Sequence, residues 1–246
     1  MKIITYKTGD GFSLKMKLYF PEYFAQGAQF PLIVFFFGGG WVGGDYDQFR
    51  PQAEYFAQKG FVTACPEYRI RSKHDTTPFE AYADAVNAVA CLTENKEYLK
   101  IDPSKTILAG GSAGGHLAAL TVILNPAAAA FFRGMVLFNP VLDTSPQGYG
   151  YEILKENYKR LSPIENLNRI PPTLILHGKA DRVAPYSNSE RFVQKALANG
   201  CDCTLIPYEN CDHGFFNQEP YYSRTLQEVE NWIQGKILTK SQEASI

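Results

Sequence analysis

Residues 106–119 read Thr-Ile-Leu-Ala-Gly-Gly-Ser-Ala-Gly-Gly-His-Leu-Ala-Ala, an apolar run that passes through a glycine-flanked serine into an alanine-rich stretch. Within it, Gly110-Gly111-Ser112-Ala113-Gly114 fits the pattern G-x-S-x-G, directly after a predicted strand and directly before a predicted helix. Small flanking residues let the backbone make a sharp strand-to-helix turn that leaves the serine exposed above a sheet. A glycine-rich turn with an idle serine would give the same letters. The position between a buried strand and an Ala-rich helix argues for the exposed nucleophile instead.

Outward from this turn the chain alternates between two textures. Nearly continuous apolar runs at Pro31–Phe37, Phe61–Cys65, Thr106–Ala109, Gly134–Phe138 and Thr173–Leu176 read as strands buried on both faces. Helical stretches separate them at about Gln48–Lys59, Pro78–Asn95, Ala113–Leu124 and Ser187–Asn199. A last strand, Cys203–Tyr208, precedes an amphipathic helix near Tyr221–Lys236, and Ile3–Lys7 and Leu14–Phe20 form an antiparallel hairpin about Gly9-Asp10-Gly11. Such alternation implies an α/β fold: a mostly parallel, doubly wound sheet with right-handed crossovers and helices on both faces. Without a linker or an internal repeat, residues 1–246 read as one α/β domain. Residues 143–167 interrupt the pattern with mixed polar and aromatic side chains. They are expected as a short cap-like insertion over the carboxyl edge of the sheet, where ligands bind in open α/β folds.

Composition sets outer bounds. Of 246 residues, 45% are hydrophobic and 20% charged, as in ordinary globular chains, which excludes a disordered tail, a collagen-like repeat and a coiled coil. The net charge of −1 offers no basic field for a nucleic acid or an anionic membrane. Five cysteines without a framework of spacings exclude a disulfide scaffold, and Cys201 and Cys203 lack the His pair of a zinc finger. The first 16 residues lack the apolar core of a signal peptide and no run approaches 18 apolar residues, so a cytoplasmic location is expected. The 14% aromatic content is read chiefly as core, with tyrosines near a pocket mouth as candidates for substrate contact.

A serine nucleophile needs a base, an acid to orient the base, and donors for the developing oxyanion. Phe37-Gly38-Gly39-Gly40-Trp41 follows the first buried strand, and glycines there let backbone N–H groups approach a ligand oxygen. No G-K-[ST] follows, so a phosphate-binding P-loop is excluded. Of the four histidines, His213 lies in a short loop after the last strand, from which it can reach across to Ser112. His116 sits four residues beyond Ser112 on the same helix and is expected in the packing, and His177 ends a strand and is expected buried and hydrogen-bonded. His74 lies in a polar loop, as a surface residue or a substrate contact. Asp181, just after a strand, is the leading acid; Asp143 and Asp212 are weaker candidates, the latter too near His213 in sequence to face its ring easily.

In order, Gly38-Gly39-Gly40-Trp41, Glu67-Tyr68-Arg69, Gly110-x-Ser112-x-Gly114, Ser162-Pro163, His177-Gly178-x-x-Asp181 and Asp212-His213-Gly214-Phe215 resemble the α/β-hydrolase serine esterases, of the hormone-sensitive-lipase-like and acetyl-xylan-esterase-like kind. The likeness runs from about Pro31 to the C-terminal helix. It implies Ser112 as nucleophile, His213 as general base and then acid, and Asp181 as the carboxylate orienting His213. It assigns the oxyanion hole to the N–H groups of Gly39, Gly40 and Ala113. The related oxyanion motif usually begins with His, a loop support, where this chain has Phe37, so support for the loop must come from elsewhere.

The reaction this implies is hydrolysis of short acyl esters, acetyl first, because no long insertion supplies a substantial lid. Trp41 and Tyr149, with Tyr46 and Tyr151 at the rim and His74 nearby, are the candidate substrate contacts, and aromatic faces there suit an acetylated sugar as well as a plain apolar wall. No metal or organic cofactor is called for. The expected partner is a small-molecule or saccharide ester, with no nucleic acid or membrane, and nothing in the sequence indicates a homo-oligomer. Three rivals share the fold: a prolyl-oligopeptidase-type peptidase, a lipase, and a non-catalytic binding protein. The first usually carries a further peptide-selecting domain, and the third often lacks one triad residue.

Overall fold

In the computed structural model, residues 1–24 and 28–239 are described. The apolar runs become strands β1 (Lys2–Gly9), β2 (Phe12–Tyr19), β3 (Phe30–Phe36), β4 (Val62–Pro66), β5 (Ile101–Gly111), β6 (Gly134–Phe138), β7 (Thr173–Gly178) and β8 (Cys203–Tyr208). They form one eight-stranded sheet in the order β1-β2-β4-β3-β5-β6-β7-β8. Pairing is antiparallel from β1 to β2 and from β2 to β4, and parallel from β4 onward to β8. The expected hairpin is therefore present, with Gly11 in the left-handed region that its turn requires.

The helices are α1 (Arg50–Gln58), α2 (Arg71–His74), α3 (Pro78–Glu94), α4 (Ala113–Leu124), α5 (Pro126–Phe131), α6 (Tyr151–Leu154), α7 (Pro163–Asn166), α8 (Tyr186–Ala198) and α9 (Tyr221–Ile233). Helices α1 and α9 meet each other, Tyr55 of α1 donating to Glu230 of α9 at 2.5 Å. Helices α3 and α4 pack together, as do α4 with α7 and α7 with α8. The sheet is thus covered on both sides, which is why β4, β6 and β7 are buried at every position and read as unbroken apolar runs. No helix among the described residues is long and apolar enough to cross a membrane.

Two differences from the sequence expectation have local causes. Strand β5 begins five residues before Thr106, because Ile101 pairs with Phe30 ahead of a register shift. Helices α2 and α5 were not anticipated; α5 is a six-residue turn of helix started by the Asn125 side chain, which accepts the N–H groups of Ala127 and Ala128 at 3.0 and 3.2 Å. Residues 143–167 hold α6, a 3₁₀ helix over Lys155–Leu161 and α7. This segment is fastened to the sheet layer by Leu154 and Leu161, which pack on Leu120 of α4. His116 of α4 reinforces the contact through its Nε2, 2.7 Å from the Leu161 carbonyl.

One buried ion cluster ties the antiparallel edge to the helices. Asp84 of α3 is 0% exposed and accepts from Arg69 Nε at 2.8 Å, Arg69 Nη2 at 2.9 Å, the Arg69 N–H at 3.0 Å and Lys7 Nζ at 2.7 Å. Helix α3 itself starts on a capping box, Glu80 accepting the Thr77 N–H at 2.8 Å.

Candidate active site

Ser112, Asn139, Asp181 and His213 follow the carboxyl ends of β5, β6, β7 and β8 respectively, so neighbouring parallel strands deliver four polar side chains to one edge of the sheet. Ser112 holds φ 52°, ψ −119°, a strained conformation for a residue with a side chain. Glycine makes it possible: a Cβ on Gly114 would lie 2.1 Å from the Phe36 carbonyl oxygen, and one on Gly110 would lie 2.4 Å from Gly114. Strand β3, the turn and the start of α4 therefore meet backbone to backbone. The turn is further held by the Ser112 N–H, which donates to the Phe138 carbonyl at 2.9 Å.

His213 Nε2 lies 2.8 Å from Ser112 Oγ, and its Nδ1 lies 2.8 Å from Asp181 Oδ2. The Asp181 side chain is fully buried, and its Oδ1 accepts the N–H groups of Val183 and Ala184, each at 2.9 Å. Burial alone would raise its pKa, but hydrogen bonds from His177 and His213 and the attraction of His213 override that and hold the carboxyl well below the usual range. A hydroxyl bonded to an imidazole, itself bonded to an ionised carboxylate, can pass the hydroxyl proton to the ring as the oxygen attacks a carbonyl. The other acids are engaged elsewhere. Asp143 is buried and pairs with Arg191 at 2.8 Å, while Asp212 pairs with Arg182 and accepts the backbone N–H of His213.

Gly39 and Gly40 lie across the cavity from this row, with φ of +129° and +62°. Their N–H groups make no hydrogen bond among the described residues, and the cavity of about 320 Å³ in front of Ser112 is lined by Gly38, Gly39, Gly40, Tyr149 and His213, among others. Ala113 is the first residue of α4, where an N–H has no partner within the helix. Phe37, at the place where the related motif has His, stacks on Tyr68 at 4.0 Å, and the Tyr68 hydroxyl donates to the Phe37 carbonyl at 2.7 Å. Gln48 Oε1 accepts the Gly38 N–H at 2.6 Å, and the Gly39 carbonyl accepts from Val42 and Gly43, each at 3.0 Å. The loop is therefore supported by a tyrosine, a glutamine and its own turn.

The substrate-contact expectations divide. Tyr149 lines the cavity, its hydroxyl 2.4 Å from where a Gly40 Cβ would stand. Trp41 does not line it: the turn at Gly39 directs the indole inward to 2% exposure, edge-on to His116 at 4.7 Å and behind Tyr149 at 5.7 Å. His74 lines a separate crevice with Glu67 and Tyr68. Tyr46 lies under Lys17 Nζ, and Tyr151 meets Tyr158 edge-on at 5.6 Å, and neither lines the cavity.

The sequence reading passed over Gln48 and Asn139. Asn139 (φ 33°) places its amide nitrogen 3.4 Å from both ring nitrogens of His213 and accepts the Gly214 N–H at 3.2 Å. Its position immediately after a buried strand was the available signal; Gln48 carried none.

A family model described as BD-FAE matches residues 16–145. Among solved structures, the apo form of Thermogutta terrifontis esterase 2 is similar at 35% identity and a TM-score of 0.88, over 95% of this chain and 94% of that one. The same esterase is described with propionate bound, with butyrate bound and phosphorylated by paraoxon. A probable isoprenylcysteine alpha-carbonyl methylesterase of Oryza sativa subsp. japonica is 25% identical over 82% of this chain and 56% of its own length. An acetylxylan esterase of Xylanibacter ruminicola is 23% identical over 74% of this chain and 41% of its own. The chain spans about half the length of the curated relatives it matches.

Proposed function

The chain belongs to the BD-FAE family, among the α/β-hydrolase-fold serine esterases, and on that premise we propose that it is a carboxylesterase hydrolysing short-chain acyl esters, acetyl foremost, through an acyl-serine intermediate. The observation that carries this reading is the unbroken row Ser112 Oγ, His213 and Asp181 with 2.8 Å at each link. Ser112 Oγ attacks the ester carbonyl carbon as His213 Nε2 takes its proton, and the carbonyl oxygen becomes an oxyanion held by the N–H groups of Gly39, Gly40 and Ala113. Collapse breaks the bond to the alcohol oxygen, which leaves with the proton from His213. Water then repeats the sequence on the acyl-serine, returning the free acid and Ser112.

The acyl preference rests on the smallness of the cap and on the solved relative. The cavity in front of Ser112 is lined by Tyr149, Phe216 and the glycine loop, and the Thermogutta relative's propionate- and butyrate-bound forms support a short acyl group there. The acetylxylan esterase relative and the Tyr149 ring support an acetylated saccharide as the natural substrate, with 1–246 acting as one domain and residues 143–167 as its small cap. The test is turnover of aryl esters from acetyl to decanoyl, with acetate release from acetylated xylo-oligosaccharides, by wild type and Ser112→Ala. A rate falling beyond butyryl and a loss of at least about 10³-fold in Ser112→Ala are expected. A maximum at eight or more carbons refutes the short-acyl assignment, and unchanged turnover in Ser112→Ala refutes the nucleophile.

A further inference from the structure

Behind Asp181 stands a second imidazole for which the acyl-transfer scheme has no use. His177, near the end of β7, is fully buried. Its Nε2 lies 3.1 Å from Asp181 Oδ2 and 3.0 Å from the Ala184 carbonyl oxygen, and its Nδ1 lies 2.8 Å from Ser189 Oγ. Two acceptors face Nε2, so the proton resides there, and Nδ1 accepts the Ser189 hydroxyl proton. Ser189, on α8, is 0% exposed, so the tautomer is held by a donor that solvent does not reach. Asp181 Oδ2 consequently receives two N–H bonds, one from each imidazole, while Oδ1 receives two from the backbone.

We infer that His177 is a positioning residue for the proposed triad, its Nε2–H pinning the Asp181 oxygen that faces His213 and moderating the pull of that carboxylate on the ring. The inference rests on the triad reading above. A carboxylate oxygen shared between two donors is a weaker acceptor for each, so removing the His177 N–H leaves Asp181 more basic toward His213 and favours the imidazolium. The other groups about His213 are the Ser112 hydroxyl, Asp212 (held by Arg182) and the Cys211 thiol of the same loop; those about His177 are Asp181, Ser189 and Tyr186, whose ring stands edge-on at 5.7 Å. None of these is altered in the His177 variants.

The test compares His177→Gln, which presents an amide N–H near the place of Nε2, with His177→Asn, whose shorter amide reaches only the Nδ1 position, and with Ser189→Ala. Each is checked for folding by urea melts, and kcat and KM for an aryl acetate are followed against pH. In His177→Asn, kcat falls by about tenfold to a hundredfold with KM little changed. The acid limb of its kcat/KM profile moves to higher pH by about half a unit, since that limb reports the free enzyme's base. His177→Gln restores the limb and most of kcat, and Ser189→Ala shifts in the same direction by less. Equal losses in the Asn and Gln variants with the limb in its wild-type place overturn the inference, leaving a packing role. Should His177→Asn not fold, an unmoved limb and unchanged kcat in Ser189→Ala overturn it. Retained activity in Ser112→Ala, by contrast, refutes the triad reading itself.

Discussion

His116 makes the stability of this protein pH-dependent in a window of its own. The side chain is 0% exposed on α4, its Nε2 donates to the Leu161 carbonyl at 2.7 Å, and its Nδ1 has no partner among the described residues. Protonation would put a second N–H on Nδ1 with nothing to receive it. Burial accordingly pushes the pKa down from the ordinary 6.5 to about 4, against the smaller upward effect of the Leu161 bond. The folded state thus resists a proton that the unfolded chain accepts below pH 6.5. The stabilisation is fully present above 6.5 and is lost progressively as the pH falls toward 4. At 1.36 kcal/mol per pH unit, the displacement from 6.5 to about 4 is worth about 3 kcal/mol, a large part of the stability of an ordinary domain. The side chain is wholly buried, so solvent screening does not reduce this figure. The perturbation is His116→Gln, which keeps an N–H for Leu161 and removes the titration. Urea melts at steps from pH 7.5 to 4.0 should show the wild type losing about 3 kcal/mol more than the variant between 6.5 and 4. Parallel curves for the two proteins across that window would show that His116 does not resist protonation in the folded state. Asp181 does not confuse the reading, since its depressed pKa gives stability that is lost only below the ordinary carboxylate value of 3.8.

Two further predictions concern other parts of the fold. Asp84→Ala leaves Arg69 and Lys7 without their buried carboxylate and should cost about 3–5 kcal/mol, seen as a large fall in the urea midpoint with no change in m; a loss below about 1 kcal/mol would show the cluster to be solvated. Gly40→Ala places a methyl 2.4 Å from the Tyr149 hydroxyl on a residue at φ +62°, and should lower kcat about 10²-fold by displacing the N–H proposed above as an oxyanion donor. Adding Tyr149→Phe should recover part of that loss in steady-state assays, and an unchanged kcat in the double variant would locate the damage in backbone strain alone.

Much of the architecture was legible locally. The strands read as apolar runs because the sheet is covered on both faces, and the G-x-S-x-G turn declared itself because only glycine tolerates backbone contact between β3, β5 and α4. The segment from 143 to 167 was harder, since its short helices carry no sustained period and owe their conformation to Leu120 and His116 on another element. Trp41 misled for a related reason: an aromatic beside a glycine loop suggests a pocket wall, and only the path of the turn sends it into the core.

By itself, then, the sequence determined the layered α/β order, the strained serine turn and a short set of acids and histidines, because strand period, helix period and glycine placement are properties of neighbouring residues. The tertiary structure decided which of those groups meet. Ser112 and His213 are 101 residues apart and His213 and Asp181 are 32 apart, and their contact depends on β5, β6, β7 and β8 taking successive places in one sheet. Asp181 rather than Asp143 or Asp212 faces His213 because Arg191 and Arg182 hold the other two carboxylates. The loop that lacks the usual histidine is carried by Tyr68 and Gln48, 31 and 10 residues from their partners, through contacts that exist only once β3, β4 and α1 are packed.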